Sequence, residues 1–247
     1  MSIDNEEDLR GMEAAGAAVA ETLRELRAFV RPGVTTGELD ALAAETLARY
    51  GARSAPRLVY DFPGTICISV NDEAVHGVPG RRELHPGDLV TLDVTAELHG
   101  YFADAAVTVP VPPVSPRATA LVEAAEAAFW RGADVARAGT PLREVGRAVE
   151  REVRSRGFHV LRDLCGHGIG RSIHEAPSVL NYYDPRDRTV LSDGLVLALE
   201  PIVATGTGRT RLARDGWTVR SADGSLAAHF EHTIVVRPGA PLILTAA

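Results

Sequence analysis

Four carboxylates in this sequence stand where a charge is out of place. Asp93 and Asp104 interrupt two strand-like runs, Leu89–Ala96 and Tyr101–Val109, that are otherwise uncharged. Glu200 follows the apolar run Gly194–Leu199 and precedes Pro201, and Glu231 sits inside Ala227–Val236. A charge in a central strand is normally paired or metal-bound, because burying it alone is costly. If Glu97-Leu98-His99-Gly100 is a four-residue hairpin loop, Ala96 pairs with Tyr101 and Asp93 with Asp104. Cross-strand partners have Cβ atoms about 4.5–5.5 Å apart. Two carboxylates that close repel unless they share a proton or a cation. The alternative, one Asp facing solvent, requires a shifted register. Two Asp, two Glu and an imidazole make a hard-donor set with room for two cations. Sets of this kind hold two metals about 3.5–4 Å apart in some aminopeptidases. No thiolate cluster accompanies them, which argues against structural zinc.

Two of the eight imidazoles lie in Cys165-Gly166-His167-Gly168-Ile169-Gly170-Arg171-Ser172-Ile173-His174-Glu175-Ala176-Pro177. Three glycines in five residues imply tight turns or a close approach of backbone, and the stretch reads as a loop feeding a short strand. His167 and His174 are seven residues apart, an odd step that places them on opposite faces of an extended chain. They meet only if the chain bends at Gly168 and Gly170. His76, in the loop His76-Gly77-Val78-Pro79-Gly80, comes from a distant part of the chain. His85 and His99 lie in turns and read as solvated, and His159 reads as a partly buried structural residue. His229 shares the strand face of Glu231 and reads as its neighbour. Cys67 reads as a small buried hydrophobe. There is no G-x-S-x-G elbow for a serine nucleophile and no Walker A or dinucleotide fingerprint.

These residues need a scaffold. Leu9, Met12, Ala15, Val19, Leu23 and Leu26 recur at helical spacing within 6–30, with Gly11 and Gly16 weakening the pattern. A second helix begins at Thr35 or Thr36 and ends at Gly51. Strands follow over 65–70, 89–96 and 101–109. Pro110, Pro112, Pro113 and Pro116 mark a seam. Beyond it come a helix over 116–138, a second over 141–156 capped by Thr140 with Pro141 at its first position, and strands over the Gly166–Gly170 region, 195–203, 217–219, 227–236 and 242–245. Two helices followed by strands, twice over, predict two related halves whose sheets share one core.

The 247 residues, 45% hydrophobic, suffice for a large core. The net charge of −7 and the absence of long single-sign runs give no nucleic-acid footprint. All 26 basic residues are Arg, a compositional bias rather than a functional signal. Cys67 and Cys165 form no CxxC, which fits a reducing compartment. No secretory signal or membrane span is read in the sequence.

Over nearly its whole length the chain resembles the type I methionine aminopeptidases of the pita-bread fold. The resemblance rests on Val70-Asn71-Asp72-Glu73-Ala74-Val75-His76-Gly77-Val78-Pro79, on Asp93 with Asp104, on the Cys165–Gly170 and His174–Pro177 segments, on Leu199-Glu200-Pro201 and on Glu231-His232-Thr233. It implies an α/β chain of the α+β type, one catalytic domain over 1–247 with pseudo-symmetric halves at about 1–110 and 114–247. Each half would carry two helices packed on antiparallel strands of one curved sheet. It implies that Asp93, Asp104, His167, Glu200 and Glu231 hold two divalent metal ions, with Asp104 and Glu231 bridging, the metal being Co, Mn, Fe or Zn. It implies that His76 and His174 contact substrate and that Phe62, Cys67 and Trp217 line a methionine pocket. The implied reaction is hydrolysis of an initiator methionine before a small second residue by a metal-activated water, with Glu200 passing a proton to the leaving amine. Nascent-chain N-termini are the implied partners, with transient ribosome contact, a cytoplasmic location and a monomeric state. Three residues depart from the family pattern: Val75, Ala103 and Ala105, the last expected to loosen a hydrogen bond beside the ligands. Rival readings are a proline-specific dipeptidase or aminopeptidase, a binding protein on the same fold, and a structural protein with fortuitous charges.

Overall fold

The structure is a computed structural model that describes residues 1–246. Helix α1, Glu6–Phe29, is capped by Asn5, whose Oδ1 accepts from the Asp8 N–H at 2.9 Å. Its buried stripe, Met12, Ala15, Val19, Leu23 and Leu26, is the one the periodicity predicts. Gly11 and Gly16 sit where the Tyr101 ring and the Leu244 carbonyl press on the helix, and a Cβ at either would lie within 2.3 Å of them. Helix α2, Thr36–Arg49, opens with a capping box between Thr35 and Glu38. Strand β1, Arg53–Ser54, and helix α3, Ala55–Tyr60, follow. Both are too short for periodicity to reveal.

Next come β2, Cys67–Val70, β3, Glu73–Val75, β4, Leu89–Leu98, and β5, Tyr101–Pro110. The β4–β5 hairpin corrects the expected register. His99 and Gly100 alone form the turn, with φ of 53° and 83°, so Leu98 pairs with Tyr101, Thr95 with Asp104 and Asp93 with Ala106. A two-residue turn with positive φ at both positions matches strand twist better than a longer loop. The difference from the expected register is two residues, so faces are kept. Asp93, Thr95 and Asp104 still share one face. The other face carries Val94, Ala96, Ala103 and Ala105 into the core under α1. The Ala105 side chain therefore points away from the carboxylates, into the core.

In the second half, α4 is Pro116–Val135, capped by Ser115, and α5 is Leu142–Ser155. Thr140 is not the cap of α5. Pro141 occupies the cap position, and the helix begins without a side-chain cap. The apolar stripe Leu142, Val145, Val149 and Val153 fixes α5 against the fold. The strands are β6, His159–Val160, β7, Cys165–Gly168, β8, Glu175–Leu180, β9, Val196–Leu199, and β10, Ile202–Ala204. They continue with β11, Thr210–Leu212, β12, Val219–Ser221, β13, Ala227–Val235, and β14, Leu242–Ile243. The single strand expected over 195–203 is two strands, because Pro201 has no N–H for the ladder. Trp217 precedes its strand, in a turn where Asp215 Oδ1 accepts from the N–H groups of Trp217 and Thr218, both at 2.9 Å.

One antiparallel sheet runs β1-β4-β5-β13-β9-β7-β8, with β2 beside β4, β10 and β14 beside β13, and β6 beside β10. The pair β5–β13 joins the halves, with α1 and α2 on the first and α4 and α5 on the second. A small separate sheet, β11-β12-β3, ties the hairpin preceding β13 to the strand before His76. Among the described residues no helix is long and apolar enough to cross a membrane.

Candidate metal centre

The sheet face opposite α1 floors a cavity of ≈ 660 Å³. Asp93 on β4 and Asp104 on β5 come from the first half. His167 on β7, Glu200 after β9 and Glu231 on β13 come from the second. All five line this cavity. Glu231 pairs with Ala106, which pairs with Asp93, so one row of the sheet presents both carboxylates to the same side. Ligand atoms of Asp104, His167 and Glu231 lie within 4.8 Å of one another, as do those of Glu200, His229 and Glu231. His167 Nε2 is 3.4 Å from Glu200 Oε1.

The Gly-rich stretch is a strand in its first part and a bend after it. Cys165–Gly168 is a strand hydrogen-bonded on both sides, to β8 and β9. Gly166 and Gly168 serve close packing: a Cβ would lie 2.4 Å from the Ala198 carbonyl oxygen at Gly166 and 2.2 Å from that of Ala176 at Gly168. The bend falls later, at Ile169–His174, where Gly170 has φ 146°. It returns His174 to within 4.2 Å of His167, centroid to centroid, as the two rings require if both are to serve one site. Glu175 pins the bend by accepting from the Arg171 and Ser172 N–H groups at 2.7 and 2.8 Å. His167 Nδ1 lies 2.9 Å from the Gly168 carbonyl. A proton on Nδ1 donates there and leaves the Nε2 lone pair facing the carboxylates.

Electrostatics set the protonation states. Burial, then the charge of Asp104, raises Asp93 well above the usual carboxylate range. Burial lifts Asp104 to about 6, although Thr95 and Asp93 oppose it. Burial and the Asp104 charge also raise Glu200 and Glu231. The imidazoles move the other way. His167 is pushed down to about 4, by burial and then by His174, and burial also lowers His76 and His174. Neutral imidazoles beside crowded carboxylates are ready cation ligands. Asp104 Oδ1 and Glu231 Oε1 are buried with no hydrogen-bond partner. Orphaned anionic oxygens next to a free imidazole lone pair fit a divalent cation with nitrogen and oxygen ligands.

The remaining predicted residues line the same cavity: His76, His174, Phe62, Cys67 and Trp217. His76 has φ 57°, the left-handed region that a non-glycine residue rarely adopts, with Gly77 held against the Ile68 carbonyl beside it. Phe62 and Trp217 meet edge to face at 5.3 Å, and burial raises the Cys67 thiol well above its ordinary range, so it serves as wall. His85 and His99 are exposed, as expected; His159 is also exposed, against its reading as partly buried. Sequence reasoning missed Tyr60, at the end of α3, whose hydroxyl lies 2.6 Å from His174 Nδ1. The only sequence signal for it is a tyrosine two residues before Phe62.

Residues 10–238 match the sequence model of metallopeptidase family M24. The chain is 43% identical over 247 residues to methionine aminopeptidase 2 of Bacillus subtilis (strain 168), covering 99% of each chain. It is 42% identical over 243 residues to a methionine aminopeptidase of Clostridium perfringens, covering 98% of each. Among solved structures, the methionine aminopeptidase of Thermotoga maritima superposes with a TM-score of 0.97 at 36% identity, over 100% of both chains.

Proposed function

The chain belongs to metallopeptidase family M24, and we propose a residue-by-residue account of how it works as a methionine aminopeptidase. It has the pita-bread fold and removes N-terminal methionine in a metal-dependent hydrolysis. In our reading Asp93, Asp104, His167, Glu200 and Glu231, which line one cavity, would hold two divalent ions. Bound there, such ions supply Lewis acidity and make hydroxide accessible near neutral pH. The convergence of Asp104, His167 and Glu231, whose ligand atoms lie within 4.8 Å of one another, with Glu200 3.4 Å from His167, carries this reading.

Around that centre the protein's own groups divide the labour. Phe62, Cys67 and Trp217 form the apolar wall that takes the methionine side chain, and their position on the same cavity supports the assignment. His76 and His174 approach from different halves and flank the scissile bond, donating or accepting a hydrogen bond at the peptide nitrogen and the developing oxyanion. Tyr60 orients His174 through Nδ1. Glu200 takes the proton that the attacking water gives up and returns it to the leaving amine. The substrates are nascent-chain N-termini with a small second residue, met in the cytoplasm by a monomer in transient contact with the ribosome. One domain spanning both halves carries the activity.

The test is turnover by protein loaded with Mn(II) or Co(II). Met-Ala-Ser should be cleaved and norleucine accepted nearly as well, because an apolar slot discriminates weakly between side chains of the same length and shape. Peptides beginning with Lys or Glu should survive. Preferential hydrolysis of Xaa-Pro peptides would instead point to the proline-specific alternative.

A further inference from the structure

His229 is a buried titratable group on the cavity wall that this division of labour leaves without a task. It stands two residues before Glu231 on β13, so both side chains leave the same sheet face. Its backbone is locked: Thr108 Oγ1 accepts from the His229 N–H at 2.8 Å and donates to the His229 carbonyl at 3.0 Å. The residue is only 2% exposed and lines the cavity. Neither ring nitrogen has a hydrogen-bond partner. Buried polar atoms in folded proteins are nearly always satisfied, and an orphan calls for a ligand or an ion.

Distances indicate which. His229 Nε2 lies 3.3 Å from Glu231 Oε2 and 3.8 Å from Glu200 Oε2. Two donors bound at about 2.1 Å to one cation are separated by about 3.0 Å at a right angle and about 3.4 Å at the tetrahedral angle. The observed separations lie close to that range without forming a hydrogen bond. Glu200 stands between two imidazoles, with Oε1 3.4 Å from His167 Nε2 and Oε2 toward His229. The arrangement is two imidazole–carboxylate groups sharing Glu231, one containing His167 and the other His229.

We propose that His229 is a sixth protein ligand of the centre, presenting Nε2 to a cation held between the carboxylates of Glu200 and Glu231. This rests on the reading that the cluster holds divalent ions, and it adds a second imidazole to the five expected ligands. The test is Mn(II) binding to chelator-stripped full-length protein, followed by calorimetry and by pulsed EPR on histidine-15N-labelled samples, which counts metal-bound imidazoles. With both positions filled, the wild type should show two histidine nitrogens bound to metal. His229→Gln should lose one of them and weaken one binding step at least tenfold, while His167→Ala should lose the other. A single imidazole in the filled wild type overturns the proposal, whether or not the variants fold. So does His229→Gln that keeps both nitrogen couplings, even at reduced affinity, because His229 would then act only by positioning the carboxylates. A wild type that binds no Mn(II), Co(II) or Fe(II) overturns the metal reading itself, an outcome distinct from the other two.

Discussion

Asp104→Asn should make the metal-free protein more stable while destroying its capacity to hold metal. Burial lifts the Asp104 carboxyl from its ordinary 3.8 to about 6. At ~1.36 kcal/mol per tenfold change in acidity this corresponds to ~3 kcal/mol. The raised value means that the folded state holds the proton more tightly than the unfolded chain. The contribution of Asp104 to stability is thus full below pH 3.8 and is lost as pH rises through about 6. Asn has nearly the same shape and no charge. The 2.9 Å bond from the residue 104 N–H to Thr233 Oγ1 does not depend on the side chain. The assay is thermal melting in chelator from pH 4 to pH 8. Both proteins should melt alike near pH 4, and the variant should pull ahead as pH passes 6. At ~2–4 °C per kcal/mol for a chain of this size, the gap at pH 8 should reach ~6–12 °C. Saturating Mn(II) should reverse the order, because only the wild type gains from binding in the folded state. A variant melting at or below the wild type at pH 8 in chelator would refute the electrostatic reasoning.

Three further variants test the surroundings of the centre. Tyr60→Phe removes only the 2.6 Å bond to His174 Nδ1; kcat should fall by ~0.5–1.5 kcal/mol, about two- to tenfold, with metal content unchanged, and an unaltered kcat would remove Tyr60 from the site. Gly168→Ala places a Cβ 2.2 Å from the Ala176 carbonyl oxygen. It should cost ~1–3 kcal/mol of stability by overpacking and weaken metal binding by moving His167; a normally melting variant with native affinity would show that β7 and β8 have room to part. Trp217→Ala removes the edge-to-face partner of Phe62, worth ~0.5–1.5 kcal/mol beyond its area. KM for Met-Ala-Ser should rise at least severalfold with little change in metal affinity, and a KM within error of wild type would place the methionine side chain elsewhere.

What the sequence made legible follows from parity. Asp93 and Asp104 were expected on one face, and they are, although the hairpin register differs by two residues. A two-residue change leaves every face intact. The register itself was hidden because His99 adopts positive φ, a choice that local composition does not announce. The stretch around His167 read both as a loop and as a strand, for a different reason. Glycine has two uses, turning and close approach, and composition alone does not separate them. Here Gly166 and Gly168 admit neighbouring carbonyls, while Gly170 turns the chain. Tyr60 escaped notice because α3 is six residues long, too short for a period. His229 was recognised as a neighbour of Glu231, but its unpartnered nitrogens appear only once β13 is packed.

The site sits where the two halves of the chain are joined, and the join is built around it. Strands β5 and β13 pair directly only at Phe230, Glu231 and His232. On one side of this short ladder the Thr233 hydroxyl accepts from the Asp104 N–H at 2.9 Å and donates to the Asp104 carbonyl at 2.8 Å. On the other side Thr108 does the same for His229. Side-chain hydroxyls thus take the place of ladder bonds at the two residues flanking Glu231 and Ala106. The backbone groups of Asp104 and His229 remain satisfied, as buried groups must, while regular pairing is interrupted at both ends of the ligand row. Neither half holds the carboxylate–imidazole cluster alone: the first supplies only Asp93 and Asp104, the second His167, Glu200, His229 and Glu231. Four carboxylates of raised pKa oppose the closing of this seam at neutral pH. The apolar faces under α1 and α4 must supply the opposing free energy, which is why the charged row lies between two helix-covered halves of the sheet and not at its edge.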